Sequence, residues 1–88
     1  MHRRPRRADG YRLTQLKDET LLFHPGRATV TYLNDSASMI WQLCDGRRTA
    51  GEIATLLAEA YPEQAMTISE DVAATLAEFA RSQTIDYV

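Results

Sequence analysis

The chain has 88 residues, 44% of them hydrophobic, and a net charge of −2. This length accommodates one domain and disfavours a deep, water-excluding substrate cavity. The longest apolar runs span a few residues, far below the roughly 20 that cross a bilayer, so we expect no membrane contact. The single cysteine, Cys44, excludes an internal disulfide and favours a cytoplasmic location.

The N-terminal segment differs from the rest of the chain in charge. Four arginines and one aspartate give residues 1–9 a net charge of +3, which leaves −5 on residues 10–88. The segment is polar throughout and is interrupted by Pro5. We therefore predict a disordered basic arm over residues 1–10 and one folded domain over residues 11–88.

Three short strands are predicted next, over residues 11–16, 20–24 and 28–33. The third is rich in β-branched and aromatic residues and nearly alternates between apolar and polar positions. Polar residues 17–19 and the turn signal Pro25-Gly26 separate the strands. Strands joined by such tight turns indicate an antiparallel meander.

The hydrophobic period becomes helical from Asn34 onwards. Either Asn34 or Asp35 can cap a first helix, whose apolar face has i, i+3, i+4, i+7 spacing from Ala37 to Cys44 and which Gly46 ends. A second helix is predicted to begin at a Thr49–Glu52 capping box.

A third helix follows after Pro62, which closes the second. It is predicted to start at a capping box from Thr67 or at a Ser69 cap. Its apolar stripe comprises Ile68, Val72, Leu76 and Phe79, and residues 85–88 form an extended tail. The order predicts an α+β fold in which a three-stranded antiparallel sheet precedes three helices, an outline similar to a winged helix-turn-helix.

The residues that carry catalysis or bind metals are too few and too scattered to indicate an enzyme. His2 lies in the predicted arm, His24 at a strand end, and Cys44 closes an apolar stripe as a small buried residue. Two histidines and one cysteine do not supply a four-ligand zinc site without carboxylates. We expect no catalytic residue, no metal and no cofactor.

Two binding functions remain open at this point. One is a small winged-helix DNA-binding protein that neutralises phosphates with the basic arm. The second and third helices, however, carry mainly acidic side chains, including Glu52, Glu59 and Glu78, which have the wrong sign for nucleic acid. The other is a peptide-binding domain, in which an extended guest chain pairs with the free edge of the third strand. Ala73, Ala74, Ala77 and Ala80 would allow that guest to approach the third helix closely.

The chain resembles the PqqD family and the related RiPP recognition elements. The run from Leu33 to Thr49 carries most of the resemblance, and further matches lie on both sides of it, namely Gly10-Tyr11-Arg12-Leu13, Glu52-Ile53, Leu57, Tyr61-Pro62, Asp71-Val72 and Leu76. The resemblance implies a non-catalytic chaperone that holds the leader of a ribosomally made precursor peptide. It also implies delivery of that leader to a radical SAM maturase, in pyrroloquinoline quinone biosynthesis or in another modified-peptide pathway.

The resemblance implies a peptide-binding surface on two elements. Backbone pairing is expected along the third strand, and side chains of the third helix are expected to line the opposite wall; the residues are Thr29, Val30, Thr31, Tyr32, Leu33, Val72, Thr75, Leu76 and Phe79. A free strand edge also leaves homodimer formation open.

Overall fold

The computed structural model describes residues 3–88, and the part of the predicted arm formed by Met1 and His2 lies outside these residues. The described chain forms five strands and three α-helices, with a short 3-10 turn at Pro62–Gln64. In chain order they are β1 (Pro5–Arg7), β2 (Arg12–Leu16), β3 (Glu19–His24), β4 (Thr29–Leu33), α1 (Asp35–Leu43), α2 (Ala50–Ala60), α3 (Ala65–Arg81) and β5 (Ile85–Tyr87). The predicted α+β fold, with its three-stranded antiparallel sheet and three helices, is confirmed.

The sheet has the strand order β2-β3-β4, with antiparallel neighbours. Leu22 pairs with Thr31 and Thr20 with Leu33, and the buried members of these pairs face the helices. Because side chains alternate across a strand, the neighbouring pairs Leu21–Tyr32 and Phe23–Val30 lie on the opposite face. One face of the sheet therefore belongs to the core and the other faces solvent.

Two of the predicted helix starts are confirmed by their hydrogen bonds. Asn34 caps α1, because its Oδ1 accepts from the Ala37 N–H at 2.8 Å. Thr49 and Glu52 form the predicted capping box of α2, in which each side chain accepts from the other residue's backbone N–H. Both caps satisfy amides that a helix start leaves without an intrahelical partner.

The start of α3 differs from the prediction. The helix begins at Ala65, and no side chain caps it. Thr67 does not form a capping box; its hydroxyl donates to the Gln64 carbonyl. The reason is Pro62, whose fixed φ suits the first position of a helical turn, so the 3-10 turn runs directly into α3.

The core joins the three helices to one face of the sheet. Its buried residues come from β3, β4, β5 and all three helices; they are Leu22, Leu33, Ile40, Trp41, Cys44, Ile53, Leu57, Ile68, Val72, Leu76, Phe79 and Ile85. No helix of the described chain is long and apolar enough to cross a membrane.

A second, two-stranded sheet is formed by β1 and β5, which we call the terminal sheet. Backbone hydrogen bonds also join Arg7 to Cys44 and Pro5 to Gly46, each at 2.9 Å, and the Pro5 side chain is fully buried. The prediction of a disordered arm is therefore wrong for Pro5–Arg7. The pairing partner lies at the other end of the chain, and no local pattern in the sequence reveals it.

The arginines of this segment contact the chain itself. Arg6 forms a bidentate ion pair with Asp86, at 3.0 and 3.1 Å, and Arg3 lies over the Tyr87 ring. Arg7 lies over the Trp41 ring and donates to a carbonyl of α1. The Arg4 side chain donates to the backbone carbonyl of Arg47 in the turn after α1. Each of the four arginines therefore has a contact within the described chain.

Deletion of residues 1–9 is expected to destabilise the protein. The deletion removes the terminal sheet and its bonds to residues 44–46, and each net hydrogen bond contributes about 0.5–1.5 kcal/mol. Chemical denaturation followed by Trp41 fluorescence should show a lower midpoint. Arg6→Ala, which keeps the backbone ladder, is the control and should shift the midpoint little, since its ion pair is solvent-exposed. An unchanged midpoint after the deletion would contradict the role of the terminal sheet.

Candidate functional site

β4 is one of the two edge strands of the three-stranded sheet, and β2 is the other. Within residues 3–88 no strand pairs with the outer edge of β4. Four of its five residues are exposed, including Val30 at 56% and Tyr32 at 69%. An edge strand presents N–H and C=O groups that another extended chain can pair with. The predicted free edge is thus present.

The side chains of β4 divide between two faces. Val30 and Tyr32 lie on the solvent face of the sheet beside Phe23 and Leu21, and we call these four residues the outer face. Thr29 and Thr31 point toward the helix side, and Leu33 on the same side is buried in the core. A chain laid along β4 would therefore meet an apolar surface on one side and a polar one on the other.

A groove of about 280 Å³ runs along the helix side of β4. It lies between the start of β4 and the segment that follows α3. We call it the edge groove, and its lining residues are Tyr11, Arg27, Thr29, Val30, Thr31, Ser82 and Thr84. The groove and the free edge are adjacent, so one extended chain could use both.

The α3 residues selected from the sequence lie mainly in the core. Val72, Leu76 and Phe79 are only 1%, 2% and 4% exposed, which leaves almost none of their side chains accessible to a guest. Thr75 is half-buried and therefore partly accessible. The structure thus brings the β4 residues to an open edge and uses the three apolar α3 residues to hold the helix in place.

Ser82 and Thr84 form the groove wall opposite β4, and sequence reasoning did not select them. A signal for Ser82 existed, because it follows Thr75 by seven residues and so continues the same helical stripe. The alanines proposed to line this wall are absent from it. Ala73, Ala74 and Ala77 are exposed. Ala74 and Ala77 occupy helical positions opposite the core stripe.

The thiol of Cys44 is a structural group. Its side chain is completely buried, as predicted, and its Sγ donates to the Ile40 carbonyl at 3.1 Å. Burial raises the pKa of the Cys44 thiol to about 12, and the charge of Asp45 adds to this effect. Within the described chain no cluster of histidine, cysteine and carboxylate side chains could hold a metal ion.

The carboxylates with shifted pKa values serve local backbone structure. The Arg47 N–H, followed by the Arg48 N–H and guanidinium, lowers the pKa of Asp45, which closes the turn after α1. The backbone N–H of Thr49 lowers the pKa of Glu52 within the capping box. Both groups are hydrogen-bonded within their own turns, away from the edge groove.

Fold and groove together define a small α+β domain with an open sheet edge beside a helix. The sequence matches the family model described as Coenzyme PQQ synthesis protein D (PqqD) over residues 19–85, and the chain belongs to this PqqD family. No curated protein matches the chain by sequence.

Two solved structures are similar over nearly the whole chain. One is TbiB1 in complex with the TbiA(beta) leader peptide, with a TM-score of 0.75 and 22% identity over 92% of this chain and 94% of that one. The other is the PqqD truncation of Methylobacterium extorquens PqqCD, described as a functional, stand-alone RiPP recognition element. Its TM-score is 0.73, with 28% identity over 93% of this chain and 87% of that chain.

Phe79→Ala and Tyr32→Ser should separate core residues from surface residues. Loss of the buried Phe79 ring is expected to lower the free energy of unfolding by about 3–5 kcal/mol, since a cavity remains. Tyr32→Ser, at an exposed position, should change it by less than about 0.5 kcal/mol. Urea denaturation measures both values, and equal losses in the two variants would contradict this division.

The Cys44 thiol should be unreactive in the folded protein. At pH 8 the raised pKa keeps it protonated, and burial blocks access, so alkylation by iodoacetamide should follow unfolding. The pKa of the Cys44 thiol is higher in the folded than in the unfolded chain, so the buried, protonated thiol stabilises the fold below about pH 9. This stabilisation should be lost as pH rises from about 9 toward 12. Mass spectrometry of native and urea-unfolded samples measures the rates. Rapid labelling of the native protein would contradict the buried placement.

Proposed function

We propose that the chain is a non-catalytic recognition domain that binds the leader of a ribosomally made precursor peptide and presents it to a modifying enzyme. The observation that carries the proposal is the open edge of β4 beside the edge groove. Membership of the PqqD family supports it. So does the similarity to a stand-alone recognition element and to a domain bound to a leader peptide.

In this proposal the leader adds as a fourth strand beside β4. Backbone groups of Thr29–Leu33 that point away from β3 hydrogen-bond to it. Alternate leader side chains then lie next to Val30 and Tyr32 on the outer face, and the others enter the edge groove near Thr29 and Thr31. The leader should accordingly alternate between apolar and polar residues.

The residues of α3 have two roles in this arrangement. Thr75, together with Ser82 at the end of the helix, contacts the leader from the helix side. Val72, Leu76 and Phe79 act from the core, where their packing keeps α3 at a fixed distance from β4. Leu33 acts in the same way, because its side chain is buried while its backbone belongs to the edge strand.

The size of the interface is consistent with a reversible complex. Each main-chain hydrogen bond contributes about 0.5–1.5 kcal/mol net, and each apolar side chain buried on the outer face about 1.5–3 kcal/mol. Association and ordering of a flexible leader offset much of this gain. We expect dissociation constants in the micromolar range or somewhat below, which allow transfer of the leader to an enzyme.

The enzyme partner that we propose is a radical SAM maturase, in the cytoplasm. The pathway is pyrroloquinoline quinone biosynthesis, which the name of the family supports, or that of another modified peptide. We further propose that the sheet and helices have a winged helix-turn-helix-like arrangement, supported by the packing of α2 against α3. Without a leader, the same edge is available to a second copy of the chain, so leader binding would compete with dimer formation.

Val30→Pro and Thr31→Pro should weaken leader binding. Successive residues of an edge strand direct their N–H groups to opposite sides, so one of the two positions offers its donor to the guest and the other to β3. Proline removes the donor. Fluorescence polarisation measures affinity with a fluorescently labelled leader of the cognate precursor peptide. We expect at least about a fivefold loss, equivalent to one net hydrogen bond.

The matched control is Thr14→Pro on β2, which lies at the opposite edge of the sheet. Circular dichroism identifies the variants that remain folded. If a folded variant of each β4 position bound the leader as well as the unmodified protein does, strand addition at β4 would be excluded.

A further inference from the structure

Arg27 is a charged residue of the edge groove that the proposed backbone pairing leaves unused. It lies in the turn between β3 and β4, directly before the free edge, and its side chain lines the groove. Its Nη1 donates weakly to the Tyr11 hydroxyl at 3.4 Å and to Gln83 Oε1 at 3.3 Å. Both acceptors are uncharged.

Three other arginines of the described chain form ion pairs within it, whereas Arg27 does not. Arg6, Arg48 and Arg81 each bond a carboxylate of the chain, at Asp86, Asp45 and Glu78. Among the residues that the structure describes, no carboxylate lies within ion-pair distance of Arg27. The guanidinium thus lies at the mouth of the groove, and no carboxylate of the described chain neutralises its charge.

The turn holds Arg27 in place. The His24 carbonyl accepts from the Arg27 N–H at 3.0 Å and from the Ala28 N–H at 3.1 Å, and the His24 side chain accepts from the Gly26 N–H. Ala28 has a φ of 51°, which turns the chain into β4. A guanidinium has five N–H donors in a planar fork, so its two bonds through Nη1 leave donors for a bidentate carboxylate.

We propose that Arg27 selects guest peptides with an acidic side chain at the position that lies beside Thr29. This inference rests on the proposed function, because it needs a guest strand along β4. The weak bonds to Tyr11 and Gln83 orient the guanidinium without cancelling its charge. The carboxylate of the guest then forms an ion pair with Arg27. Arg27 is therefore a specificity-determining residue at one end of the groove.

The charge of the chain makes this preference easy to recognise. With a net charge of −2, the protein as a whole repels acidic peptides. A general electrostatic attraction would therefore enrich Lys and Arg. Enrichment of Asp or Glu at one fixed position would have to come from a local cation.

A phage-displayed library of random 12-residue peptides tests the proposal. The library is selected in parallel on the unmodified protein, on Arg27→Glu and on Arg12→Glu. Arg12→Glu is the matched control, because it makes the same charge change on β2, two strands away from β4. The displayed peptides have no free C-terminus, so any selected carboxylate belongs to a side chain.

The expected result is Asp or Glu at one position on the unmodified protein and on Arg12→Glu, and Lys or Arg at that position on Arg27→Glu. A synthetic selected peptide should bind Arg27→Gln about three- to tenfold more weakly, whereas its Asn or Gln counterpart should bind both proteins equally. Selected peptides that lose binding to the β4 proline variants but show no acidic preference would overturn only the role of Arg27. If no peptide depends on β4, both this inference and the proposed function fail.

Discussion

The shape of this domain depends on the hydrogen bonds that the backbone carbonyl of Thr84 accepts. It accepts from the Trp41 indole N–H at 3.2 Å and from the Ala8 N–H at 3.0 Å, while the Thr84 N–H and hydroxyl both bond the Phe79 carbonyl. One residue that is 98% buried thereby connects α1, the end of α3 and the chain after β1. Because Thr84 also lines the edge groove, these bonds fix the wall that faces β4.

The open edge of β4 is unusual in its composition. The helices cover one face of the sheet, and within residues 3–88 no strand pairs with the outer edge of β4. Edge strands are ordinarily protected by charged residues, proline or a covering segment. Thr29–Leu33 contains neither charge nor proline, and Val30 and Tyr32 are exposed. An unprotected edge of this kind promotes aggregation unless a partner strand pairs with it.

Local patterns in the sequence were sufficient for most elements of the fold. Short apolar runs bounded by turn signals predicted β2 and β3, near alternation predicted β4, and the cap candidates at Asn34 and Thr49 predicted the starts of α1 and α2. The terminal sheet was missed because Pro5–Arg7 and Ile85–Tyr87 are far apart in the chain and neither has a pattern of its own. For the site, the edge strand was predictable from its place before the helices. The groove wall was not, because helical periodicity does not distinguish a stripe in the core from one that borders a groove.

The pairing of Arg4 with Val88 has an architectural consequence. Their backbone groups exchange two hydrogen bonds, at 3.1 and 2.9 Å, so residues 4 and 88 are direct neighbours. A linker attached at either residue would leave the domain from the same place. Fusion to a larger enzyme, insertion into a host loop and circular permutation are then all compatible with an unchanged interior. The two ends of the described domain thus share one point of its surface.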